Sequence, residues 1–208
     1  VLGSALELKW NRKDLESLRT VVERYVPKDK RRVAVQAGGC LGVFADYLSS
    51  RFGAVYTFEP DTVMFRKMVT NIADCLNVVP MQAALGNERR MIHTVCDLRN
   101  NDKTVLHEGM TRTEPGGHIP TLRIDDLGLP CCNLIYLDIE GDEYAALLGA
   151  LTTLTDHKPV VVCEINRGID YRGISREAIP VHLARFGYTQ VEKLRSDYVF
   201  VCKEAKDV

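Results

Sequence analysis

Apolar residues fall along this chain in short blocks of two periods, one near 3.6 and one of unbroken runs, and the blocks alternate. Leu15, Leu18, Val22 and Val26 recur at three- and four-residue spacing, which predicts an amphipathic helix over 13–25 that Pro27 ends. The apolar runs at 33–37 and 54–58 read as buried strands, with a helix over 42–51 between them. Asp61 stands where it caps a helix reaching about 75, whose apolar face is Phe65, Met68, Val69 and Ile72. A third strand follows at 77–82.

The middle of the chain is less regular. Segments 91–96, 104–107 and 120–124 hold β-branched residues between turn signals such as Asn100-Asn101 and Pro115-Gly116-Gly117, predicting hairpin-like extended pieces. Alternation then resumes with a strand at 134–138, a helix at 142–154, a strand at 159–165 and a helix at 175–185. Two antiparallel strands, 188–193 and 198–203, close the pattern around Arg195-Ser196-Asp197. The sum is an α/β fold, a mostly parallel sheet with one reversed strand and helices on both faces. Residues 1–32 are expected to form a helical segment packed on a core domain over 33–208.

Composition narrows the class. At 208 residues and 46% hydrophobic, the chain can bury the core of one enzyme-sized domain. A formal net charge of −1 supplies no global field to recruit nucleic acid, and Lys28-Asp29-Lys30-Arg31-Arg32 reads as a solvated approach to the first strand. Seven cysteines, without metal-type Cys-x-x-Cys pairs and several in apparent strands, suit reduced core residues of a cytoplasmic protein. The sequence has neither an apolar run of membrane-spanning length nor a basic-then-apolar start. The five histidines lack ligand spacing.

The first strand ends in Ala37-Gly38-Gly39-Cys40-Leu41-Gly42, and the second ends in Phe58-Glu59-Pro60. A glycine turn brings backbone close to a ligand, and a carboxylate at the next strand end reaches ribose hydroxyls. The pyrophosphate pattern G-x-G-x-x-G is not met in either frame, because Ala37 and Phe44 occupy required positions. Gly38-x-x-x-Gly42 with Glu59 instead suits S-adenosylmethionine, which needs no phosphate cradle. Asp138, at the ligand edge of the fourth strand, is placed to orient an acceptor or meet the cofactor's amino group, with Glu140 as base or anchor. Asp142 and Glu143 open a helix, where the dipole favours acids, and read as structural. Catalysis without a metal is the preferred reading; magnesium on Asp138, Glu164 and Asn166 is the alternative.

Taken in order, the glycine loop, Phe58-Glu59-Pro60, Ala83-Ala84-Leu85-Gly86-Asn87, residues 121–127, Leu137-Asp138-Ile139-Glu140-Gly141-Asp142-Glu143 and Val162-Cys163-Glu164-Ile165 resemble the FkbM-type family of S-adenosylmethionine-dependent methyltransferases. The likeness runs over about 33–166. It implies a class I methyltransferase fold with strand order 3-2-1-4-5-7-6, the last strand antiparallel. It also implies O-methylation of a small molecule or sugar, with Gln82 and Ala83 flanking adenine. Against the family pattern, Gln36 replaces an acid at the end of the first strand, where it would meet the cofactor's ammonium end as a neutral acceptor. Cys40 stands in place of the loop asparagine, and a lysine expected before Asp138 is missing. Two further readings are an N-methyltransferase or nucleic-acid cap modifier, and a cofactor-binding protein without turnover.

Overall fold

The computed structural model describes residues 12–96 and 111–203. Helix α1 (Arg12–Tyr25) leads into β1 (Val33–Ala37), α2 (Val43–Ser49), β2 (Ala54–Phe58), α3 (Thr62–Asn71) and β3 (Val78–Met81). Four short strands follow: β4 (Ala84–Leu85), β5 (Met91–Cys96), β6 (Thr111–Pro115) and β7 (Ile119–Leu122). The chain then returns through β8 (Leu134–Leu137), α4 (Glu143–Leu148), α5 (Leu151–Asp156), β9 (Val160–Glu164), α6 (Arg167–Tyr171) and α7 (Ala178–Ala184). It closes with β10 (Tyr188–Leu194) and β11 (Asp197–Cys202).

The large sheet runs β10-β11-β9-β8-β1-β2-β3. Strands β3, β2, β1, β8 and β9 pair in parallel, whereas β11 is antiparallel to both β9 and β10. Parallel pairing needs crossovers, and the helices that supply them cover both faces. Ile135 and Leu137 of β8 join Val161, Leu147, Leu154, Ile179 and Leu183 on one side. Leu134 and Tyr136 turn to the other side, against Leu18, Val21 and Val22 of α1 and Phe44 and Leu48 of α2. Burial on both faces is why these strands are apolar without a break, and each large side chain so buried contributes roughly 1.5–3 kcal/mol.

A second sheet of four strands, ordered β4-β7-β5-β6, stands beside the large one; β5 and β7 fall on the extended segments expected at 91–96 and 120–124, whereas β4 and β6 were not expected. Residues 104–107, expected to be extended, lie outside the described residues. The helix expected over 142–154 is two helices, and the break has an external cause. The Gly149 carbonyl accepts from the Asp125 N–H at 3.0 Å, and the Asp125 carboxylate takes the Thr152 and Thr153 N–H groups at 3.0 and 2.9 Å, capping α5 from the loop after β7. Helix α6, not expected, is started by Asn166, whose side chain accepts from the Gly168 N–H. Among the described residues no helix is long and apolar enough to cross a membrane.

Candidate functional site

The carboxyl ends of β1, β2, β8 and β9 open onto one cavity of about 400 Å3. Its first wall is the β1–α2 loop. Gly38 has φ +87°, and a Cβ there would stand 2.0 Å from the Asp138 carbonyl oxygen, so glycine lets this loop lie directly on the end of β8. The Gly38 and Gly39 N–H groups both donate to the Phe58 carbonyl, at 3.1 and 2.9 Å, and tie the loop to β2. Glu59 then fastens loop to helix: one carboxylate oxygen accepts from the Cys40 N–H at 2.7 Å, the other from the Asp61 N–H at 2.8 Å. Burial raises the Glu59 pKa, and the two backbone donors oppose that rise. Each oxygen has a second lone pair beyond these bonds, and Glu59 lines the cavity.

The opposite wall is acidic. Asp14, Asp138, Glu140, Asp142 and Glu164 line it, and with Glu59 they make six carboxylates around a cavity that has no Lys, Arg or His among its described lining residues. One oxygen from each of Asp138, Glu140 and Glu164 lies within 4.8 Å of the others. Burial, then repulsion from Glu164 and Glu140, pushes Asp138 well above the usual carboxylate range. Burial followed by the Glu164 charge raises Glu140 to about 7, while a hydrogen bond with Asn166 pulls the other way. Glu140 sits in left-handed backbone at φ +56°, a conformation uncommon outside glycine. Behind it, Glu143 is buried and accepts from the Ile139 and Gly141 N–H groups at 2.8 and 3.0 Å, holding the turn that presents Glu140. Burial raises Glu143 to about 8.

The small sheet is fastened over both walls. Thr94 of β5 donates to Asp61 Oδ2 at 3.2 Å on the Glu59 side. Thr113 of β6, a lining residue, donates to Asp142 Oδ2 at 2.6 Å. Arg172, just past α6, donates to that same oxygen at 2.7 Å and to the Thr113 carbonyl and hydroxyl at 3.0 Å each. A bridge of this kind, half-buried and charge-assisted, positions β6 more firmly than an exposed ion pair would.

The sequence profile described as the Methyltransferase FkbM domain matches residues 36–190. The chain belongs to the FkbM methyltransferase family. Among solved structures it is similar to the methyltransferase FkbM from Methylobacillus flagellatus KT, with TM-score 0.53 and 17% identity over 82% of this chain and 43% of that one. It is also similar to the ribosomal protein L11 methylase from Lactobacillus delbrueckii subsp. bulgaricus, with TM-score 0.52 and 9% identity over 95% and 81% of the two chains. A fibrillarin/Nop5p complex gives TM-score 0.51 and 15% identity over 91% and 79%. Identities this low speak for the fold alone, and this FkbM chain spans less than half the length of the Methylobacillus protein. No curated protein sequence matches it.

Within the FkbM chain, Gly38, Glu59, Ala83, Asp138, Glu140, Glu164 and Asn166 meet at the cavity. Three expected cofactor residues do not line it. Gln36 is fully buried, its amide N–H donating to the Gly38 carbonyl at 2.9 Å and its oxygen accepting from the Thr57 hydroxyl, so it braces the loop from behind. Gly42 faces α3, where a Cβ would come within 2.8 Å of Ile72. Gln82 donates to the Thr62 hydroxyl at 2.7 Å on the outside. Of the alternative magnesium ligands, Asn166 is committed elsewhere: its oxygen accepts from the Gly168 N–H at 2.6 Å and its amide donates to Glu164 at 2.5 Å. The carboxylate beside Asp138 and Glu164 is Glu140. Sequence reasoning placed Cys40 in the glycine loop but missed Asp14, Phe44, Met64 and Thr113 as lining residues. Of these only Asp14 carried a signal, an acid at the start of the helix expected to pack on the core.

Proposed function

We propose that this chain transfers the methyl group of S-adenosylmethionine to a hydroxyl of a small-molecule or sugar acceptor. The observation that carries the reading is the single cavity that joins the Glu59 wall to the Asp138–Glu140 wall beneath an FkbM glycine loop. Bound there, S-adenosylmethionine supplies an electrophilic methyl on a sulfonium. Its fit rests on the donor and acceptor set: Glu59 has lone pairs for the two ribose hydroxyls, Ala83, Ala84 and Leu85 give an apolar wall for adenine, and the acids opposite suit a cationic sulfonium and ammonium. Asp138 and Glu140 face the acceptor. A group titrating near neutral pH is well matched to accepting a hydroxyl proton, which assigns that step to Glu140, with Asp138 orienting the acceptor for in-line approach.

Six acids and no basic side chain among the described lining residues disfavour a phosphorylated acceptor such as a nucleic acid. The similarity to fibrillarin and to a ribosomal-protein methylase concerns fold and brings no acceptor with it. The test is calorimetry with S-adenosylmethionine, followed by incubation of the chain and labelled cofactor with neutral and amino sugar pools. Binding with a labelled, alkali-stable product from the neutral sugar pool, which offers hydroxyls and no amine, supports O-methylation. Binding without product in any pool favours a non-catalytic cofactor-binding protein, and absence of binding removes the reading.

A further inference from the structure

We propose that Tyr171 is a specificity-determining residue on the acceptor side of this cavity, its ring a platform for one face of a neutral sugar ring. The inference rests on the methyl-transfer reading for the role of the cavity, and it narrows the acceptor to a cyclic sugar. Among the described residues Tyr171 is the one aromatic side chain left exposed, with 61% of its surface open to solvent. An isolated apolar residue on a surface needs no function, so its place in the fold decides what it means.

That place is set by α6, which is fastened to the cavity at both ends. Asn166, which starts the helix, lines the cavity. A Cβ at Gly168 would stand 2.6 Å from the Glu140 carbonyl carbon, so the beginning of α6 lies directly against the turn that presents Glu140. Arg172, next to Tyr171, donates to Thr113 and Asp142, which line the cavity as well. Ile169 is buried in the core, and a helix turns about 200° in two residues, which directs Tyr171 away from that core. Three residues advance about 4.5 Å along a helix, so Tyr171 projects into solvent at the rim, one turn from the contact of Gly168 with Glu140.

The charged residues on either side of Tyr171 in the chain are already paired, Asp170 with Arg176 at 2.6 Å and Arg172 with Asp142 at 2.7 Å. Charge beside the ring is thus balanced, which favours a neutral ligand over an ammonium group, the other common occupant of an exposed aromatic face. A sugar ring meets both the platform and the cavity. Its axial C–H groups form a flat apolar face for the phenol ring, and its hydroxyls donate to carboxylate oxygens such as those of Asp138 and Glu140. An acyclic polyol has the hydroxyls without the face.

The test follows the nitrogen–proton correlation spectrum of the full chain, alone and with S-adenosylhomocysteine, during titration with methyl β-glucoside, methyl β-galactoside and methyl α-mannoside. At least one glycoside should shift the Gly168, Ile169 and Arg172 peaks saturably, whereas sorbitol, the acyclic counterpart, and choline, the ammonium probe, should not. Tyr171→Ala should raise the glycoside Kd about three- to tenfold, and Tyr171→Phe, which keeps the ring, should hold it within about twofold of the parent. Val181→Ala, at an exposed apolar position on α7, should leave it unchanged. Peaks that stay still with all three glycosides, a Kd indifferent to Tyr171→Ala, or an equal response to sorbitol or choline overturns the platform. Calorimetry with S-adenosylmethionine reports separately on methyl transfer: cofactor binding without Tyr171-dependent glycoside binding overturns the platform alone, and Tyr171-dependent glycoside binding without cofactor binding overturns methyl transfer alone.

Discussion

Thr57 and Gln36 stand directly opposite on β2 and β1, and the Thr57 hydroxyl donates to the Gln36 amide oxygen while the Gln36 N–H holds the Gly38 carbonyl. The amide is thus used from both ends. A glutamate would keep the first contact, lose the second, and bring a carboxylate against a carbonyl oxygen. Gln36→Glu should therefore lower folding stability by roughly 1–3 kcal/mol, the cost of an unsatisfied buried group. Urea unfolding near neutral pH measures it, and a variant as stable as the parent would show that the loop does not depend on this brace.

Glu59 should matter twice over. Glu59→Gln retains the shape but turns an amide N–H toward one of two backbone donors, Cys40 or Asp61. S-adenosylmethionine affinity should fall by roughly 1.5–3 kcal/mol, the range for hydrogen bonds to a charged group, and the melting temperature should fall with it. A folded variant with an unchanged Kd takes ribose binding away from Glu59.

Stability should decline as pH rises through the neutral range, and Glu143 gives the sign. Its carboxyl is raised from an ordinary value of 4.5 to about 8 in the folded chain. The folded state therefore holds a proton that the unfolded state has released. The stabilisation is whole below the unfolded pKa and is lost as pH climbs to the folded one, at up to about 1.4 kcal/mol per pH unit for one such group. Urea midpoints should be lower at pH 8 than at pH 6, and Glu143→Gln should reduce the difference, leaving the part that the raised Glu140 and Asp197 contribute. Midpoints that rise across this interval would contradict the assignment.

The bridge from β6 to α6 should act on the acceptor side only. Thr113→Val removes the hydroxyl that donates to Asp142 and accepts from Arg172. Loss of these bonds should cost about 0.5–1.5 kcal/mol of stability per bond and raise the acceptor KM, with the cofactor Kd nearly unchanged. Equal effects on both ligands would mean that the small sheet serves the whole cavity.

The large sheet was legible because Ala34, Val35, Leu134 and Ile135 lie between helices on both sides, and such burial writes uninterrupted apolar runs. Glu59 and Asp138 were legible as charges that end those runs. The break between α4 and α5 was not, because Gly149 alone does not separate a helix interior from a helix end and the cap that starts α5, Asp125, belongs to a distant loop. Strand β6 was silent for a different reason: Thr-Arg-Thr-Glu-Pro has one buried position, Thr113, among its described side chains, too little to show a period. The site's acidic cluster combined a residue the sequence offered as base or anchor, Glu140, with one it gave only as an alternative metal ligand, Glu164. Which residues converge depends on backbone direction at two turns, and composition does not encode that.

Glu59 also turns part of the backbone into a reporter. The amide protons of Cys40 and Asp61 end on the two oxygens of one carboxylate. Anything that draws electron density from that carboxylate must change both protons together, though they lie on different elements. In a nitrogen–proton correlation spectrum those two peaks should shift in concert at each increment of an added nucleoside. A compound lodged only among the acids opposite should leave them in place, so occupancy of the two halves can be read separately in one titration.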